Sequence, residues 1–326
     1  MKLTITIVLS LLIGKLFAQE MAGPYAPPAG QIGTAAIHKD SSIIIDWATN
    51  AIIERGWQNI ADTSLGKTTA GNDTSATDKS GINGVVSLGD GGTATLTFNG
   101  KIFDGPGADF AVFENSFDGL FLELAFVEVS SDGVNFFRFD AVSLTDTSVQ
   151  VPSFGTLDAT ELYNLAGKYK AQYGAPFDLN ELAGTPGLDV NSISHIRVID
   201  VVGNINEPYA TYDSQNNPVN DPWNTVFPTG GFDLDAIGVI NFTSTSVEEL
   251  NNEIILSIYP NPSSDIVYFK FKKQGNYTYQ MVNLSGQQVA NGVLDSQISI
   301  SQLEAGIYFL QVYSENDFTV QKIIKQ

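Results

Sequence analysis

The stretch VEVSSDGVNFFRF, residues 127–139, decides the fold class. Val127 and Val129 lie two apart and share one face of a strand, because strand side chains alternate sides. Asp132-Gly133 has the turn chemistry of a tight hairpin, and Phe137 and Phe139 bring an apolar face back. Outward from there, the two-residue period recurs in TATLTF (93–98). Short apolar runs recur in VVSLG (85–89), DFAVFE (109–114), ISHIRVIDVV (193–202) and FDLDAIGVINF (232–242). Many short strands with glycine-rich turns predict an all-β fold, an antiparallel jelly-roll-type β-sandwich. Two segments read differently. In DSSIIIDWATNAIIERGWQNI (40–60), Ile44, Ile45, Ala48, Ile52 and Ile53 recur at helical spacing and predict an early helix. DATELYNLAGKYKAQYG (158–174) reads as a helical or irregular insertion between strands.

The division of the chain follows from composition. Residues 1–18 have Lys2, an apolar run from Leu3 to Ile13 and a small residue, Ala18, the pattern of a secretory signal peptide cleaved near Ala18. The run is too short for a membrane anchor, and Lys15 interrupts its end. No transmembrane segment is expected in the mature chain. Residues 19–245 form the predicted β-sandwich surface and binding domain, 246–256 a polar linker, and 257–326 a small immunoglobulin-like β-sandwich. The chain has no cysteine, which excludes thiolate chemistry and cysteine-ligated zinc. The formal charge is −20, and it is unevenly spread. Residues 19–249 hold 9 Lys and Arg against 30 Asp and Glu, whereas 250–326 hold 5 against 6. Such an acidic domain argues against a nucleic-acid partner and is compatible with divalent cations.

The C-terminal stretch carries the most specific pattern. It runs SIYPNPSSDIVYFKF (257–271), YQMVNLSGQQVANG (279–292) and ISISQLEAGIYFLQVYSENDFTVQKIIKQ (298–326). Pro260 and Pro262 fix a turn before the first strand, and NLSGQQV has hairpin-turn chemistry. The module resembles the type A C-terminal sorting domain of the type IX secretion system of Bacteroidota. The matching positions are Tyr259, Pro260, Asn261, Pro262, Gly286, Gly306, Lys322 and Lys325. The resemblance implies export across the outer membrane, with the secretion machinery as partner through residues 257–326. It implies a mature protein that is released or held at the cell surface. In the large domain, the hairpin resembles that of discoidin-like, galactose-binding-like modules. GPGADFAVFEN (105–115) and DPWNTVFPTGGFDLDAIGVI (221–240) resemble stretches of bacterial cell-surface proteins. That likeness implies a surface location and names no activity, though some similar proteins capture corrinoids such as cobalamin.

Candidate chemistry lies in the acids. Calcium takes six to eight hard oxygens and tolerates irregular loops. TYDSQNNPVNDPWN (211–224) offers Asp213, Asn216, Asn217, Asn220 and Asp221, and GGFDLDA (230–236) offers Asp233 and Asp235. The expected calcium ligands are Asp213, Asn217, Asp221, Asp233 and Asp235; the competing reading has these acids bonding backbone N–H groups in turns. Asp109 and Glu114 bracket an apolar strand, five apart, and point to opposite faces. Tyr212, Trp223 and Phe227 are the candidate aromatic contacts for a flat ligand, against a reading in which they pack under the loop. His195, inside a strand pattern, reads as a packing residue. Neither a G-x-S-x-G elbow nor an H-E-x-x-H motif is present. The expectation is therefore a non-catalytic binder of carbohydrate or another extracellular small ligand. Corrinoid capture, a polysaccharide hydrolase working through a carboxylate pair, and a structural or adhesive surface protein stand as alternatives.

Overall fold

The computed structural model describes residues 23–244, 254–272, 275–314 and 318–326. The expected signal peptide, residues 1–18, and residues 246–253 of the expected linker lie outside these. Two compact units are present, residues 1–245 and 246–326.

Beside a two-stranded sheet, Val142–Ser143 with Leu162–Tyr163, the large unit has two six-stranded antiparallel sheets. One is ordered Ile37–His38, Tyr173–Phe177, Phe110–Glu114, Asp233–Val239, Asp46–Trp47, with Val86–Ser87 also pairing Asp233–Val239. The other is ordered Phe242–Ser244, Thr93–Ile102, Ile193–Asp200, Ala125–Ser130, Phe137–Arg138, with Asn50–Glu54 also on Thr93–Ile102. Their inner faces share one core. Leu96, Val127, Val129, Ile196 and Val198 come from one sheet, and Phe110, Val112, Leu234, Ile237 and Val239 from the other. Phe110 stacks on Phe177 with centroids 5.3 Å apart and meets Phe139 edge-on at 5.9 Å. The hairpin forms as read: Val129 pairs Phe137, and Asp132 accepts the N–H groups of Val134 and Asn135, both at 2.8 Å.

The early helix is replaced by strands. Asp46–Trp47 and Asn50–Glu54 are extended, and Ile52, at 68% exposed, faces water while Ala51 and Ile53 pack on the core. Two short strands separated by Ala48-Thr49 happened to place apolar residues three and four apart. The β-branched isoleucines, costly in a helix, suit the pleated surface. The segment 158–174 is irregular, with a 3₁₀ turn over Ala159–Glu161 capped by Asp158, and it runs into the strand Tyr173–Phe177. With Leu157 just before it, the segment builds a second core from Ala159, Leu162 and Leu165 against Leu122, Leu124, Phe126 and Val201.

The small unit pairs a three-stranded sheet (Ile255–Tyr259, Ile266–Phe271, Gln297–Ser299) with a four-stranded one (Gln288–Val293, Thr278–Asn283, Gly306–Tyr313, Phe318–Lys325). Val267, Phe269, Met281, Leu310, Val312 and Ile323 fill the space between them. The motif residues have structural work here. The Asn261 amide donates to the Lys322 carbonyl at 2.7 Å and accepts from Ile324 N–H at 2.8 Å, fastening the first turn to the last strand. Gly306 pairs Lys325, Lys322 pairs Phe309, and Gly286 takes φ 78° in the turn after Asn283. Tyr259 stacks on Tyr268.

Candidate functional site

The strands Phe110–Glu114 and Asp233–Val239 are antiparallel neighbours, and Glu114 pairs Leu234. This sets the end of one and the start of the other side by side. Register shifts between Leu234 and Ala236, so a bulge falls at Asp235. The bulge lets Leu234 and Ile237, three apart, both face the main core, while Ala236 faces Ala111 and Phe113 on the other side. It also gives the two aspartates separate partners. Asp235 accepts from Ser80 Oγ at 2.6 Å and Gly81 N–H at 2.9 Å. Asp233 is bonded by the Ser87 hydroxyl and the Asn115 side chain. Gly231, at φ 69°, lets the chain enter: a Cβ there would lie 2.6 Å from Asp200 Oδ1 and 2.8 Å from Gly89 Cα.

A set of buried carboxylates surrounds this junction. Asp200 accepts from Phe232 N–H at 2.7 Å and Gly91 N–H at 3.0 Å. Asp221 accepts from Leu124 N–H at 2.6 Å, and Asp90 from Ile60 N–H at 2.8 Å and the Trp223 indole at 3.2 Å. Glu114 accepts from Ser116 N–H at 2.7 Å through one oxygen, and its other oxygen, Oε1, is buried without a partner. Glu123, 8% exposed, has neither a hydrogen bond nor an ion pair among the described residues. Burial pushes the Glu114, Glu123, Asp200 and Asp221 carboxyls well above the usual range, and the neighbouring acids add to it. For Glu123 those neighbours are Glu114, Asp233, Asp221 and Asp200. Burial also pushes Asp90 and Asp233 up to about 6. Arg55 tempers Asp233 from a distance, but its guanidinium is spent on the carbonyls of Ala70, Ser87 and Gly71 at 2.6 to 2.7 Å.

Above Glu123 and Asp233 opens a cavity of about 350 Å³ rimmed by Phe117, Phe121, Phe154 and Phe227. The rings form a chain, with centroids 5.2, 6.0 and 5.8 Å apart in that order. Phe117 is 76% exposed and Phe154 71%. Exposed apolar rings are costly unless they meet a ligand or partner. Three loops carry them, and each is tied to itself. Asp118 accepts from Leu120 and Phe121 N–H, both at 2.8 Å. Gly155 N–H donates to Pro152 O at 2.6 Å, and Gly230 N–H to Phe227 O at 3.0 Å. The rim is therefore preorganised, which lowers the ordering cost of binding.

Larger cavities exist. One of about 940 Å³ is walled by Leu120, Val151, Pro152 and Leu157, and one of about 520 Å³ by Tyr25, Tyr163, Tyr169 and Lys168. In the first, Asp146 and Asp158 are committed to local turns. In the second, Lys168 donates to Leu162 O at 2.6 Å, and its burial lowers its pKa to about 8. Asp104, Asp109 and Asp178 gather their oxygens within 4.8 Å of one another. Asp109 is nonetheless satisfied by Gly105 and Leu179 N–H and the Asn241 amide, and Asp178 caps a 3₁₀ turn.

The residues expected to share one calcium are thus dispersed. Asp213 turns inward onto Ser143, Gln215 and Asn217 N–H, and the Asn217 amide also bonds it. Asn220 is buried and ties Asp146 O and Val149 O to the loop. Of these, only Asp233 lines the cavity with Glu123. Of the three aromatics, Phe227 reaches the cavity rim, Trp223 packs with its indole on Asp90, and Tyr212 donates to Glu207 at 2.6 Å. His195 meets Ser194 Oγ at 2.8 Å and lies edge-on to Phe136, as a packing residue does. Sequence reasoning passed over Asp90, Glu123, Asp200, Phe117, Phe121 and Phe154. A signal existed: Glu123 in FLELAF and Asp200 in VIDVV are lone charges inside apolar runs.

Residues 257–326 match the secretion system C-terminal sorting domain. The chain therefore carries a type IX secretion sorting module, and the protein is a secreted or cell-surface one. Among the described residues no helix is long and apolar enough to cross a membrane. No curated protein matches the chain. Among solved structures it is similar to a β-glucuronidase of Faecalibacterium prausnitzii, with 13% identity, TM-score 0.22, and 86% of this chain and 46% of that one covered. It is also similar to a β-glucuronidase of Ruminococcus gnavus solved with D-glucaro-d-lactam, with 10% identity, TM-score 0.22, and 88% and 47% covered. The chain spans less than half the length of either, and at that TM-score the likeness transfers no activity.

Proposed function

We propose that this protein, delivered to the cell surface through its sorting domain, binds a small extracellular ligand without transforming it. The binding site is the cavity under Phe117, Phe121, Phe154 and Phe227, and the ligand class is carbohydrate. The observation that carries the reading is the chain of exposed phenylalanine rings set on self-tied loops above acceptor groups. Aromatic faces stack on the C–H faces of sugars, and carboxylates accept their hydroxyls. A corrinoid, the alternative ligand, is far larger and would have to reach beyond a cavity of about 350 Å³.

The test is a glycan array probed with the purified protein and with the Phe154→Ala/Phe227→Ala double variant, with a cobalamin titration in parallel. Binding to a glycan subset that drops at least tenfold in the variant supports the reading. Array binding that the variant keeps, or no binding at all, overturns it. Turnover of a bound polysaccharide, lost in Glu123→Gln, would make the protein a hydrolase working through Glu123 and Asp233.

A further inference from the structure

Glu123 is a charge that the fold leaves unanswered. It is nine-tenths buried and, among the described residues, has neither a hydrogen bond nor an ion pair. Leu122 and Leu124, on either side of it, are sunk in the second core. The Glu123 side chain is turned the other way and lines the phenylalanine cavity with Phe121, two residues before it. A buried carboxylate is tolerated when it is paired, hydrogen-bonded or bound to a metal. Glu128, five residues on, shows the first solution, clamped by Arg138 and Arg197. None of the residues that line the cavity is a lysine, an arginine or a histidine.

The polar wall accepts rather than donates. Asp233 lines the same cavity as Glu123. The Ser116 hydroxyl gives its proton to the Asp118 and Phe121 carbonyls, and the Ser153 hydroxyl gives its own to the Asn224 carbonyl at 2.6 Å. Lone pairs are what these two hydroxyls have left to offer. A ligand that suits this wall brings hydrogen-bond donors and positive charge. A protonated amine brings three donors, and its bond to a carboxylate is about twice as strong as a neutral one. It is also drawn to aromatic faces within about 6 Å, and four phenylalanines rim this space of about 350 Å³. A metal ion fits less well. Calcium needs six to eight converging oxygens, whereas an ammonium needs one carboxylate in reach. Asp104, Asp109 and Asp178 are the acids whose oxygens gather within 4.8 Å of one another, and Glu123 and Asp233 are not among them. Resting on the binding-site reading above, we propose that the group anchored at the cavity floor is a protonated amine, so that the carbohydrate is an amino sugar whose amine is free of acetyl. Its ammonium sits on the Glu123 carboxylate beneath the rings of Phe117, Phe121, Phe154 and Phe227. The acidity of residues 19–249, with 30 Asp and Glu against 9 Lys and Arg, favours the approach of such a cation.

The experiment is calorimetric titration of the full chain with tetramers of glucosamine, of N-acetylglucosamine and of glucose, and with ethanolamine as an amine without a sugar ring. It is run at physiological salt, which screens the acids of the surface. The glucosamine tetramer is expected to bind at least tenfold more tightly than either neutral tetramer. Glu123→Gln, which removes the charge and keeps the shape, should shrink that preference to less than about threefold. Asp104→Asn, which takes an acid from outside the cavity, should leave the preference as it is. Phe154→Ala/Phe227→Ala should weaken the glucosamine tetramer at least tenfold. The proposal fails if the neutral tetramers bind as tightly as the charged one, or if Glu123→Gln keeps the full preference, since surface acids would then be the ones that attract the amine. Neutral tetramers bound equally well, and lost in the phenylalanine variant, would overturn the amine while leaving the cavity as a carbohydrate site. Ethanolamine bound through Glu123 with no tetramer bound would keep the amine and remove the carbohydrate. No binding of any of the four would overturn both.

Discussion

Glu128 and Glu123 sit five residues apart, both buried, and the protein treats them in opposite ways. Glu128 lies on the strand Ala125–Ser130 between two partner strands. Arg138 Nε donates to it at 3.0 Å from one side, and Arg197 Nε at 2.8 Å from the other. Each guanidinium also lies over a ring, Arg138 over Phe126 at 4.5 Å and Arg197 over Phe136 at 3.9 Å. Glu123 faces a cavity, and its nearest charged company is acidic. One site is closed by the chain itself. The other lines a cavity and has no hydrogen-bond or ion-pair partner among the described residues.

The comparison can be broken at several points. Glu128→Ala should be the costliest, about 3 kcal/mol by urea denaturation, because it strands two arginines whose packing depends on the pair. A loss below about 1 kcal/mol would mean that the pair is ornamental. Asp235→Ala should cost about 2 kcal/mol, since it removes two charge-assisted hydrogen bonds, and exchange protection at the Gly81 amide should fall with it. Unchanged protection would contradict the assigned partners.

Asp90 sharpens the contrast through pH. Its carboxyl is raised to about 6 by burial and, among the described residues, accepts only from the Ile60 N–H and the Trp223 indole. The folded state therefore holds its proton at a pH where the unfolded chain has lost it. Stability should fall by about 2 kcal/mol as pH rises from about 4 to above 6, and Asp90→Asn should flatten that slope. A slope of the opposite sign in the natural chain, or one unchanged in the variant, would count against it. The smallest effect belongs to Phe154→Ala. An exposed ring should leave stability within about 0.5 kcal/mol while ligand binding drops.

Much of the fold was legible in the sequence, and the reasons are local. Alternation in 93–98 and the Asp132-Gly133 turn are properties of neighbouring residues, and the structure honours both. The sorting module was legible because its turns and strands appear in a fixed order. The isoleucines of 43–53 misled because two short strands can imitate a helical period. The site was legible only in fragments. Asp233 was singled out as a charge at the mouth of a strand, and it does line the cavity. Its partners Asn115 and Ser87 are 118 and 146 residues away along the chain, and no local pattern encodes that convergence. Asp213 and Asp221, by contrast, had the composition of a calcium loop, but backbone N–H groups reached Asp213 first. The phenylalanine rim comes from three loops that meet only in the folded domain.

The most direct test is the stability of Glu123→Gln against the natural chain, in EDTA at pH 7, by urea denaturation read at the tryptophans. An unpaired buried carboxylate destabilises its own fold, so the amide should be as stable as the natural protein or more stable by up to about 1 kcal/mol. A loss of more than about 1 kcal/mol would show that Glu123 already has a partner within the chain, and the cavity floor would then be a structural site like that of Glu128.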